Sequence, residues 1–191
     1  MDAYGTLVDE AEKYDQKIDA NREVLDKAAK QYMDTCNEYL SGQNQKMKDE
    51  IKAGADEVKL DERLKKITIV NDIIDVGNAT RIAAWRSQAE RSPKIIEDAR
   101  KNFDVMAAKF NELRKMTSKQ ADMQRIDDTS AAAESYKSAM NGLLKNWLAL
   151  QEVNKKQGEI GDAVLAAAQL TARDGMERTD KIAGQIGRAH V

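Results

Sequence analysis

Asn78, Arg81 and Trp85 are separated by three and four positions, so a helix would set them on one face. Arg86 lies on the flank of that face, next to Ile82. An arginine near a bundle interior presents a rigid fork of donors suited to a carboxylate. The bland alternative is that Arg81 and Arg86 snorkel to solvent or pair with a neighbouring acid. Further along, Tyr136, Asn141 and Trp147 could line the same cavity or a different one, although aromatic residues at helical spacing are ordinarily core. Tyr32 and Tyr39, with Asn37 between them, carry the same ambiguity, and Arg173 and Arg178 are weaker candidates.

Other chemistry is harder to build. There is no GxGxxG after a strand, no phosphate loop ending in GKS or GKT, no HExxH and no cysteine pair. Cys36 and His190 stand alone in their types, so neither a metal or haem site nor a serine–histidine pair is expected. Asp127 and Asp128 read as helix caps rather than as an acid–base pair, and Asn78-Ala79-Thr80 is a weak glycosylation match. The sequence therefore predicts no enzyme, no metal and no cofactor.

The elements that must position these residues are helices. The 191 residues include one proline and ten glycines, too little turn punctuation for a β-rich fold. Charged residues make up 34% of the chain, with 31 basic and 33 acidic side chains interleaved. That balance suits slender helices and argues against nucleic acid, which selects a basic excess or stripe. No run of eighteen apolar residues and no signal peptide is present, which fits a soluble protein or a soluble piece of a larger one.

Tyr4, Leu7, Ala11, Tyr14, Ile18, Asn21 and Leu25 begin a three–four seam that continues to Ile51, predicting one helix over about 2–53. Gly54 supplies the reversal. A middle column over about 57–91 places Leu60, Leu64, Ile67, Ile74, Ile82, Trp85 and Ala89 on a common face, with Gly77 as a place to divide it. Ser92-Pro93 reads as an N-cap followed by a first-turn proline. A second middle column then spans about 93–128, Thr117-Ser118 allowing a kink, and Asp127 to Ser130 offer caps for a last helix over about 130–188. The spacing shifts between Leu150 and Ile160, implying a packing discontinuity or two layers. The predicted fold is all-α: one helical domain over 1–191, an elongated antiparallel four-helix bundle, or two stacked four-helix modules made from six helices.

Three stretches carry a family resemblance: Tyr-Met-Asp-Thr-Cys-Asn-Glu-Tyr-Leu at 32–40, Gly-Asn-Ala-Thr-Arg-Ile-Ala-Ala-Trp-Arg at 77–86, and Asp-Gly-Met-Glu-Arg-Thr-Asp-Lys-Ile-Ala-Gly-Gln-Ile at 174–186. Together they resemble the extracytoplasmic sensory region of bacterial methyl-accepting chemotaxis receptors, and most closely the helical bimodular type. The resemblance implies a periplasmic domain of an inner-membrane receptor, held between two transmembrane helices. It also implies a small-molecule ligand, such as an organic acid or other small anion, bound between helices. Arg81 or Arg86 would hold the carboxylate, with Asn78 as a further donor. A homodimer through the long helices is expected, with Tyr14, Ile18 and Leu25 as candidate contacts or as internal core. The alternative is a structural or protein-binding bundle without a ligand, well packed around Trp85.

Overall fold

The computed structural model describes residues 3–189, and for 186–189 the backbone alone. Five α-helices and no strand occur among the described residues: α1 (Ala3–Lys52), α2 (Glu57–Glu90), α3 (Pro93–Ala99), α4 (Asn102–Lys115) and α5 (Gln120–Ala189). The chain forms two compact units. One is Gln16–Leu148; the other joins the described residues of 1–15 to those of 149–191.

The larger unit is an antiparallel four-helix bundle in which α3 and α4 together make one column. Five helices, rather than six, therefore build it, and it contains a single four-column layer. Registers are fixed by cross-helix bonds. Tyr32 on α1 donates to the Ile73 carbonyl of α2 (2.8 Å), and Lys109 on α4 meets Asp72 on α2 (2.7 Å). Arg114 on α4 meets Asp127 on α5 (3.0 Å), and Asn146 on α5 donates to Asn21 on α1 (2.5 Å). The core follows α1 through Ile18, Leu25, Tyr32, Cys36 and Tyr39, a near-seven-residue repeat. Facing it are Phe103, Met106, Phe110 and Leu113 of α4, and Ile126, Tyr136, Met140 and Leu143 of α5. Ile18 and Leu25 are thus internal, which removes both as dimer contacts.

The turns follow their residues. Gly54 adopts φ +68°, and the Asp56 side chain caps α2 by accepting from the Lys59 amide (2.9 Å). α2 runs unbroken through Gly77 and ends at Arg91, a non-glycine residue at φ 50°. Pro93 occupies the first turn of α3 as expected, but Ser92 makes no side-chain cap; its carbonyl instead accepts from the Ser87 hydroxyl (2.7 Å).

Two expectations are corrected. The second middle column ends at Lys115 rather than near 128, and Thr117 to Lys119 form the reversal. Asp127 and Asp128 therefore lie inside α5 as partners of Arg114 and Gln124, not as caps. The acid-rich stretch mimics a helix start, but the Lys119 carbonyl already accepts from the Asp122 and Met123 amides. Secondly, the buried face of α2 is large and apolar only at its middle, at Ile69, Val70 and Ile73. Leu64, Ile82 and Trp85 are more than half exposed, while Arg63, Lys66, Gly77, Thr80, Ala84 and Ser87 face inward. Tyr32 explains much of this, because a Cβ on Gly77 would sit 2.3 Å from its ring. The bulky side chain on α1 leaves α2 room for small groups only at that level.

In the smaller unit Val153 is buried, and Leu7, Ala11, Tyr14, Leu150 and Ile160 are half-buried. From 161 to 185 every residue of α5 is exposed.

Candidate functional site

Arg81 sits on the inner flank of α2, where its Nη2 reaches Asn78 Oδ1 (3.3 Å) and its guanidinium lies 5.4 Å from the Trp85 ring centroid. The three–four spacing of these residues on one helical face is thus realised as a cation–π contact and a weak hydrogen bond. Arg81 has no ion-pair partner among the described residues, and its Nε is buried without a hydrogen-bond partner.

α5 brings Tyr136 to this level. Its ring is 1% exposed, edge-on to Phe103 (centroids 5.3 Å, planes at 79°) and 6.1 Å from Tyr32. The phenol is pushed far above its ordinary value, mainly by burial; the Arg81 charge opposes that shift and the Asp26 charge adds to it. The Arg81 and Asp26 charges are therefore both felt at the Tyr136 phenol. The Tyr136 hydroxyl nevertheless has no hydrogen-bond partner.

Asn141 follows one and a half turns later. A Cβ on the adjacent Gly142 would meet Asn21 Nδ2 at 3.2 Å, so this part of α5 lies against Asn21 of α1. Asn141 Oδ1 and Arg22 Nε are both buried and unpartnered, although Arg22 Nη1 reaches Asp19 (2.7 Å). Among the described residues five buried side-chain atoms lack a partner, and Arg22 Nε, Arg81 Nε, Tyr136 OH and Asn141 Oδ1 are four of them. The fifth, Tyr39 OH, lies elsewhere in the bundle. Each such group costs about 1–3 kcal/mol unless a partner is supplied. Three can donate to an anion, while Asn141 Oδ1 can accept from a ligand hydroxyl or ammonium.

Asn78 and Arg81 are joined by a hydrogen bond and the Arg81 charge acts on Tyr136, whereas Asn141 stands on the stretch of α5 beside Asn21. Trp85 belongs as a stacking face but is 56% exposed, outside the packed interior. Arg86 does not join them; its side chain is 63% exposed and bonded to Glu90 (3.0 Å). Arg22 and Asp26 had gone unread in the sequence, although Arg22 adjoins Asn21, a polar member of the α1 seam. Trp147 is core, Tyr32 is spent on Ile73, and Arg173 and Arg178 are exposed. No group of three or more potential metal-ligating residues occurs among the described residues. No described helix is long and apolar enough to cross a membrane. Comparison with known proteins found no family model, no curated protein and no solved structure that matches this chain.

Proposed function

We propose that the chain is an extracytoplasmic sensory domain whose bundle binds a small organic acid or related anion at the Arg81 layer. The observation that carries this reading is the Arg81 guanidinium, whose buried Nε has no partner among the described residues and whose charge acts on the equally unpartnered Tyr136 hydroxyl. Arg81 supplies charge, Tyr136 and Arg22 supply further donors, and Asn141 recognises a second polar group on the ligand. The resemblance to chemotaxis-receptor sensors supplies the context: a periplasmic position, flanking transmembrane helices, a homodimer through the long helices and signal output through α1 and α5. Ligand shifts such a domain only to the extent that it binds one helix arrangement more tightly than the other.

A thermal-shift screen of acetate, malate, succinate and amino acids against the purified chain tests the reading. At least one compound should raise Tm saturably, and Arg81→Ala should weaken that compound at least tenfold, the loss of about 1.4 kcal/mol or more. No stabilisation by any compound, or unchanged affinity in Arg81→Ala, would remove the site. Exposure of Leu64, Ile82 and Trp85 along α2 favours the alternative of a protein-binding bundle. That reading predicts a partner whose binding is lost in Trp85→Ala and kept in Arg81→Ala.

A further inference from the structure

The turn end of the larger unit holds a second polar construction that the Arg81 layer does not use. A cavity of about 200 Å³ opens between the start of α2, the 117–119 reversal and the start of α5. It has room for several waters or one small molecule.

Its acids are each paired with a cation. Arg63, 8% exposed, is held in a fork by Glu50 (2.8 and 3.0 Å) and also donates to Gln43 Oε1. Asp122, 5% exposed, accepts from Lys46, which stands outside the lining. Its remaining cations are only partly neutralised. The Lys66 ammonium, on a 9% exposed side chain, spends one donor on Glu62 Oε1 (2.6 Å) and keeps two. Lys59 and Lys119 have no ion-pair partner among the described residues, yet both charges are felt at Glu50. The lining thus carries one positive charge in excess, and two when Lys46 is counted with its partner Asp122. Ser118 and Lys119, the residues just before α5, also line the cavity, which places it beside a helix start where an anion gains from the helix dipole.

We propose that this cavity is a second binding site, specific for a small oxyanion carrying two negative charges, with Lys59, Lys66 and Lys119 as its cationic ligands. The occupant ties α2 to the start of α5 and so braces the turn end. It goes beyond the Arg81 reading and stands or falls separately from it.

The test is a backbone-amide NMR titration of the full chain with inorganic phosphate, against sodium chloride at matched ionic strength. Saturable shifts are expected at Ser118, Lys119, Gln120 and Ala121, weakened at least tenfold in Lys59→Ala/Lys119→Ala and unchanged in Arg81→Ala. In the Arg81→Ala chain malonate should compete with phosphate. Absence of saturation, equal shifts with chloride, shifts that persist in the double-lysine variant, or malonate that fails to compete would overturn the proposal. The two lysines are surface residues of the cavity rim, so the variant remains folded, and its Tm without phosphate checks this. Loss of carboxylate binding in Arg81→Ala alone would bear on the sensory site and leave this one standing.

Discussion

At the residue scale the pair Tyr32 and Gly77 decides how α1 meets α2. Tyr32 is fully buried, its hydroxyl is anchored on the Ile73 carbonyl, and its ring occupies the space a Cβ at residue 77 would take. Gly77→Ala gains about 1 kcal/mol in helix propensity. Against this, an anchored aromatic ring must shift, an overpacking cost of about 1–3 kcal/mol. The net expectation is a destabilised bundle, read as a lower urea midpoint with an unchanged m-value; a Tm at or above that of the parent would show that α2 can move away. In the sequence Gly77 looked like a helix divider, because composition shows a missing side chain but not the neighbour that requires it. Arg22 was unread for a related reason: its acid partner Asp19 is visible at i−3, whereas the buried Nε depends on α5.

At the element scale, helix existence was legible and burial was not always so. The α1 seam was readable because large apolar residues and inward direction coincide over most of its length. On α2 they coincide only in the middle, at Ile69, Val70 and Ile73; toward both ends the inward residues are small or charged while Leu64, Ile82 and Trp85 lie outside, so reading hydrophobicity as burial failed there. The start of α5, at Gln120 rather than about 130, was missed by nearly three turns because Asp127 to Ser130 have capping chemistry but neighbours that use it differently. The C-terminal part of α5 carries Val164, Leu165, Leu170, Met176 and Ile182, each more than half exposed. Most helical stability in proteins comes from tertiary packing of an apolar face, and 161–185 has no buried residue. Hydrogen exchange should therefore divide α5 sharply, with slow amides over 126–147 and fast ones over 161–185. Equal protection in both stretches would mean that a second chain covers the exposed half, and dilution of the sample would then release it.

At the scale of the whole bundle, buried titratable groups set how stability responds to pH from both sides. On the acid side Glu50 is held below the usual glutamate range by its hydrogen bonds to Arg63, and Glu62 by its bond to Lys66. The unfolded chain takes up these protons first as pH falls through the ordinary value of 4.5, so stability present above that value drains away below it. On the alkaline side burial acts in the opposite direction. It pushes the Cys36 thiol from 9.0 up to about 12 and the Tyr39 phenol from 10.0 up to about 12, while Tyr32 and Tyr136 move higher still. The unfolded chain releases these protons earlier, and stability falls as pH rises beyond about 9. Each group adds about 1.4 kcal/mol per pH unit to the slope while it is ionised only in the unfolded state. Urea midpoints across pH 3–11 should show a plateau between these limbs. Cys36→Ala should delay the onset of the alkaline limb toward the tyrosine range, at some cost in packing. Glu50→Gln should flatten the acid limb and lower the plateau, because Arg63 then loses its charged partner at a nearly buried site. An acid limb of unchanged steepness in Glu50→Gln would show that the Arg63 pair does not govern acid unfolding.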